Sequence, residues 1–184
     1  MPYEPPPHLA GLTLAQIAAL VEERKLPPVE TWTPEKAGES HMRIAADGTW
    51  FHEGAPIRRE AMVRAFASLL TRDGAGQHWL VTPFEKLGIE VEDAAFIAVD
   101  CVRAEDALAF RLNTDDLVIA GPDHPLRAEG EAENPAVYLM ARRGCEARLN
   151  RSTWAQLAEI ALAEGAEANG WQVASKGARF RLLP

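Results

Sequence analysis

The chain predicts an α+β fold built by internal duplication, and three observations predict it. Two amphipathic helical segments each follow β-type text and precede more of it. One constant offset carries Ile57-Arg58-Arg59 onto Leu149-Asn150-Arg151, and it carries Trp79-Leu80-Val81 onto Trp171-Gln172-Val173 without a gap. Trp fills only 5 of 184 positions, so Trp on Trp weighs more than matched apolar residues in a chain that is 47% hydrophobic. The repeated unit reads as hairpin–helix–hairpin, with a further helix ahead of the first copy. Upstream of the two helices the offset fails, because Asp47-Gly48 falls on Leu139-Met140.

Residues 1–40 read as an extended, mobile lead, a helix and an extended strap. The lead covers residues 1–12. Thr13 and Gln16 have capping-box spacing, and Leu14, Ile17, Ala18 and Val21 then share one helical face. Pro27 and Pro28 cannot continue that helix, so it stops near Lys25. Residues 28–34 form the strap, with Val29 and Trp32 as anchors.

The first repeat spans 41–93. Asp47-Gly48 between Met42-Arg43-Ile44 and Trp50-Phe51-His52 marks a hairpin in which both turn residues take positive φ. The first repeat helix carries a stripe of Ile57, Ala61, Met62, Ala65, Phe66, Leu69 and Leu70, and Asp73-Gly74-Ala75-Gly76 ends it. A hairpin from Trp79 to Val91 follows, turning near Pro83.

The second repeat spans 94–184. Residues 95–102, 107–112, 117–120 and 137–140 are strand candidates, and 121–135 reads as a charged loop rich in Gly and Pro. Arg143-Gly144 is a turn. The second repeat helix runs over 151–163, and a last hairpin closes across Ser175-Lys176-Gly177.

Composition excludes several function classes. The net charge is −8 and the pI about 5.2. That disfavours nucleic acid and anionic membrane surfaces, both of which are gripped through Lys and Arg. The Pro-rich, acidic start lacks the basic and apolar parts of a secretory signal, and no apolar run nears the ~18 residues of a span. The expected location is the cytoplasm. Cys101 and Cys145 sit too far apart in sequence for a metal or redox motif, so two reduced thiols are expected.

The 5 His residues are scattered, with no His-Glu-x-x-His or Cys-x-x-Cys, and no metal or other cofactor is expected. His52 and His78 read as surface or half-buried residues. No Gly-x-Ser-x-Gly elbow surrounds any Ser, and the Gly-rich text at residues 73–76 follows a helix instead of opening one. Asp115-Asp116 reads as a solvated turn.

Two places carry the candidate binding residues. Arg58 and Arg59, with Asn150 and Arg151 at the offset positions, open the repeat helices, where a cation opposes the helix dipole. Such a placement either holds an anion against free N–H groups or ties the helix to an acidic loop such as Glu85 or Glu92-Asp93, and the tie is the favoured reading. The turn Thr82-Pro83-Phe84-Glu85-Lys86 combines an aromatic ring with mixed charge, which suits a recognition surface. Its rival is a hairpin whose Phe84 is packed away.

The run from Met42 to Asp93 resembles a bacterial family known only as a domain of unknown function, family 1285. The most specific text is Leu80-Val81-Thr82-Pro83-Phe84-Glu85-Lys86-Leu87-Gly88-Ile89-Glu90-Val91-Glu92-Asp93. Leu26-Pro27-Pro28-Val29, Leu112-Asn113-Thr114, His124-Pro125-Leu126 and residues 146–151 extend the likeness over nearly the whole chain. Ala94-Ala95 departs from it, since the family pattern has a Pro there. The resemblance implies a duplicated α+β core with a second half loosely similar to pleckstrin-homology domains. It implies no activity and supplies no catalytic residues, though a signalling role has been suggested for the family.

The favoured expectation is a non-enzymatic ligand-binding or adaptor protein, its site between the repeats. The site would use Arg59, Thr82, Phe84, Glu85, Lys86, Asn113, Asn150 and Arg151. Its partner is a small anion or a peptide or protein. An enzyme using Glu85, His124 or Asp116 in the same groove is the alternative, and a homodimeric structural protein is the third reading.

Overall fold

The structure, a computed structural model, describes residues 3–5 and 7–184. Of the predicted lead, Met1, Pro2 and Pro6 lie outside the described residues. The chain divides into two compact units. A first-sheet unit comprises Lys25–Phe96 and Ala141–Glu146. A second-sheet unit comprises the segment up to Arg24, Ile97–Met140 and Ala147–Pro184.

In the first-sheet unit the strap is a 3-10 turn over Val29–Thr31, with Val29 buried as predicted. The strand β1 (Lys36–Ile44) begins earlier than the sequence suggests, and β2 (Trp50–His52) and β3 (Ala55–Pro56) complete a meander. Helix α2 (Glu60–Ala67) follows, then β4 (Leu70–Arg72), β5 (His78–Val81) and β6 (Glu85–Val91). The sheet order is β3-β2-β1-β6-β5-β4, and β1 pairs parallel with β6. Trp50 is fully buried and stacks on Phe66 of α2 at 6.4 Å between centroids.

Several local expectations change here. At the Asp47-Gly48 turn only Gly48 has positive φ, because Gly48 N–H bonds Ala45 O and the Asp47 carboxylate takes Thr49 N–H. That carboxyl sits below its usual range for the same reason, the Thr49 hydrogen bond. Helix α2 is short and buries Ala67 and part of Phe66, while Ala61, Met62 and Ala65 face solvent. Leu70, predicted on the helix, is the buried first residue of β4. Residues 73–76 are therefore a β-turn between β4 and β5, and not the helix end.

In the second-sheet unit Thr13 makes the predicted capping box with Gln16 and opens α1 (Leu14–Glu23). The lead is packed from Leu9 onward. Leu9 and Ile17 are fully buried with Ala104 and Ala109, and the Tyr3 hydroxyl donates to Asp115. The strands β7 (Phe96–Ala104), β8 (Ala107–Leu112) and β9 (Leu117–Ile119) form one antiparallel meander. A second comprises β10 (Leu126–Glu131), β11 (Asn134–Arg142) and β12 (Cys145–Leu149). The order is β10-β11-β12-β7-β8-β9. Strand β10 takes up residues 126–131 of the predicted loop. It is an edge strand with mostly exposed residues, so it needs no apolar alternation to form. Helix α3 (Arg151–Ala163) lies where predicted and buries Thr153, Leu157 and Ala161. A short α4 (Ala166–Asn169) precedes the separate hairpin β13 (Gln172–Ser175) and β14 (Ala178–Arg181).

Each six-stranded sheet joins two three-stranded meanders through its first and last strands, placed side by side at the centre. The duplication is thus present in the topology. Its register differs from the offset in the sequence. In the sheets β1 corresponds to β7 and β6 to β12, so Lys36 falls on Phe96 and Glu85 on Cys145. Helix α2 lies inside the first set of six strands, whereas α3 follows the second set. The matched Trp79 and Trp171 therefore precede unlike structures.

Candidate functional site

The predicted recognition turn is built by one hydroxyl. Thr82 Oγ1 accepts the N–H groups of Phe84 and Glu85 and donates to Glu85 O, while Thr82 N–H also bonds Glu85 O at 2.9 Å. Pro83 removes a further backbone freedom. The result is a fixed β5–β6 connection with Phe84 standing outward, 84% exposed. Its packed-away alternative is therefore not what forms.

Charges beside Phe84 are already partnered. The Glu85 carboxylate pairs with Lys36 Nζ at 3.1 Å. Lys86 Nζ lies over the Trp79 ring, 4.4 Å from its centroid. Trp79 is held in turn by Asp73, whose carboxylate accepts the indole N–H and two backbone N–H groups of its turn. The indole bond, foremost, holds the Asp73 carboxyl below its usual range. Sequence reasoning missed Lys36, because the start of β1 has no alternating pattern, and missed the Lys86–Trp79 contact, because it depends on the strand register.

Arg59 is the N-cap of α2 but makes no side-chain cap bond. Arg58, Arg59 and Arg151 are exposed, and none makes a side-chain hydrogen bond or ion pair among the described residues. The favoured tie to an acidic loop does not form. Glu85 takes Lys36, and Glu92 takes Arg43 and the Ala46 N–H. Asn150 caps α3 by accepting Thr153 N–H at 2.9 Å, and its N–H bonds Ala98 O. Asn113 brackets the same strand start, exchanging bonds with Ile97 in both directions. Asn113 and Asn150 thus meet around the beginning of β7, and both are occupied with backbone. Thr82, Phe84, Glu85 and Lys86 form the second cluster.

The residues named for catalysis are engaged too. Asp116 is buried and accepts from Arg24 at 2.6 Å and Thr114 at 2.7 Å, so the predicted solvated turn is in part an internal ion pair. His124 Nδ1 contacts Met140 O at 2.9 Å. His52 and His78 stand on β2 and β5, with β1 and β6 between them. Burial, then Arg72, holds the His78 ring below its usual pKa. Cys101 and Cys145 are free, buried thiols, each pushed up to about 12 by desolvation. Among the described residues no three His, Cys, Asp or Glu side chains are grouped to hold a metal ion. No described helix is long and apolar enough to cross a membrane.

The family models match in two parts, a domain of unknown function (DUF1285), N-terminal domain, over residues 27–94, and its C-terminal domain over 95–182. The chain belongs to the DUF1285 family. A crystal structure of a DUF1285 family protein from Silicibacter pomeroyi DSS-3 is similar to it with 37% identity and a TM-score of 0.77, over 91% of this chain and 94% of that one. A DUF1285 protein from Shewanella baltica OS155 shares 26% identity with a TM-score of 0.53, over 64% of this chain and 90% of that one. No curated protein matches the chain.

Proposed function

We propose that this DUF1285 protein is a non-enzymatic adaptor that binds a peptide or protein through the β5–β6 turn. The observation that supports it is Phe84, a large ring almost wholly exposed on a turn that Thr82 and Pro83 make rigid. Aromatic residues presented on rigid supports lose little entropy on binding and are favoured at interface centres. Lone exposed apolar residues are common, so the rigidity of the support and not the exposure alone motivates the reading. A cytoplasmic setting, a place in signalling and a pleckstrin-homology-like second half belong to the same proposal.

A photo-reactive phenylalanine analogue at position 84, introduced in the native cell, tests it. A specific cross-linked partner is expected, and Phe84→Ala should weaken that partner's binding to the purified protein at least tenfold. The same products from an analogue at exposed Leu162, or undiminished binding by Phe84→Ala, would remove the proposal.

A small-anion reading is favoured by the free guanidinium groups of Arg59 and Arg151. Inorganic phosphate should then raise the melting temperature of the native protein, and less so in Arg59→Ala or Arg151→Ala. An equal rise in all three excludes it.

A further inference from the structure

The start of β1 is an open sheet edge. Strand β2 pairs only with Met42, Arg43 and Ile44, so residues 36–39 pair with β6 on one side and, among the described residues, residues 36–40 pair with no strand on the other. Five residues of strand are about 17 Å long, the usual length of a strand. Open edges are normally blunted by charge, by bulges or by a cover. Here the one cation, Lys36, is drawn to Glu85. Ala37 and Gly38 leave the backbone bare, and Lys36, Ala37 and Glu39 are exposed. The bulge comes only at the far end, where His41 takes φ 56 and the β1–β6 register shifts.

A trough of about 480 Å³ lies at the bulged end of this edge, lined by Glu39, His41, Arg43, Glu53, Gly54 and Glu90 among others. A second, of about 340 Å³, shares Glu39 and Glu90. The carboxylates of Glu39, Glu53 and Glu90 have no cation partner among the described residues, while the one Arg of the trough is matched by Glu92. Gly88 makes room for the Glu39 carboxylate, since a Cβ there would meet its Oε1 at 2.9 Å. Uncompensated negative charge therefore flanks the end of the open edge, with Glu53 on the β2 side and Glu39 and Glu90 on the sheet face over β6.

We propose that an extended basic peptide segment adds to this edge as a further strand. Its backbone would bond residues 36–40, and its Lys or Arg side chains would lie against Glu39, Glu53 and Glu90. Main-chain pairing supplies the affinity in such strand addition and side chains supply the choice of partner. The inference rests on the adaptor reading and names its partner class. Because Glu85 faces Lys36 in the pairing, the proposed strand would run close to the Phe84 turn.

Three synthetic probes test it on the intact protein: an alternating Lys-Val octapeptide, the same peptide N-methylated at alternate residues, and a Glu-Val octapeptide. Binding would be followed by amide NMR and hydrogen exchange. The Lys-Val peptide should bind, slow exchange at alternate amides within 36–40, and weaken as salt rises. The N-methylated form should lose at least tenfold, since it keeps the charge but cannot form one edge of bonds. The Glu-Val peptide should not bind, and Glu39→Lys with Glu90→Lys should exchange the two preferences. No binding at millimolar peptide, equal binding of the N-methylated form, or protection away from β1 overturns the inference. Its failure beside successful cross-linking at position 84 would leave an adaptor with a different kind of partner. Failure at position 84 beside binding of the Lys-Val peptide would leave a strand-binding edge without the Phe84 contact.

Discussion

Arg143 ties the Pro27–Glu30 segment and the end of α2 together in the first-sheet unit. Its side chain is 7% exposed, and its guanidinium reaches Glu30 at 2.5 Å, Ser68 O at 2.7 Å and Pro27 O at 2.7 Å. The Arg143 bond, foremost, holds the Glu30 carboxyl below its usual range. Arg143→Ala strands the Ser68 carbonyl, at about 1–3 kcal/mol for a carbonyl left without a donor, whereas Pro27 O keeps the Val29 N–H at 2.8 Å. We expect a loss of about 1–3 kcal/mol in urea unfolding, most of it from that carbonyl, because Glu30 is itself largely exposed and screened. Arg143→Lys should recover only part, since one ammonium cannot span three acceptors. His78 gives a pH dependence. Its folded pKa lies below the ordinary value of 6.5, so the unfolded chain binds the proton more readily. That cost is absent above 6.5 and grows as pH falls from there toward the folded pKa. His78→Gln should therefore flatten the loss of stability between about pH 7 and pH 5 in thermal melts, and an unchanged slope would contradict the assignment.

At the scale of elements, the β11–β12 turn is specified by two residues with positive φ, Arg143 at 49 and Gly144 at 77. A Cβ on Gly144 would lie 2.9 Å from Arg72 O, beside the bond from Arg72 N–H to Arg143 O. Gly144→Ala combines left-handed strain with a backbone clash and should cost at least about 2 kcal/mol in the same unfolding assay. This turn was legible in the sequence, as were α1 with its capping box, α3 and the closing hairpin. Each follows from local chemistry, namely a cap, a glycine or a helical period. What could not be read was set by neighbours. Strand β10 is an edge with polar text, and β1 is extended over residues 36–40 because β6 pairs with it. The helix α2 stops early, and Leu70 is buried as a strand residue pairing with Leu80. The Thr82 turn was readable for the same reason as the caps. The pairing of Lys36 with Glu85 and of Lys86 with Trp79 was not, since both need the strand register.

For the whole molecule, the chain passes from one unit to the other after Arg24, Phe96, Met140 and Glu146. The family-model boundary at residues 94 and 95 therefore does not separate the units. A fragment of residues 27–94 lacks the Arg143 contacts to Glu30, Ser68 and Pro27, and a fragment of 95–182 lacks Leu9 and Ile17 from its core. Pieces of this size are marginal even when complete. Each, expressed alone, should give poor amide dispersion and no cooperative thermal transition, where the full chain gives both. A sharp transition in either fragment would show that the exchanged segments are dispensable.

That exchange bears on descent. Once residues 141–146 had become part of the first unit and the amino-terminal segment part of the second, neither twin remained whole in its own stretch of gene. A recombination that moved one of them into a foreign protein would carry away an incomplete body and leave another behind. Lineages should therefore inherit the two together or lose them together.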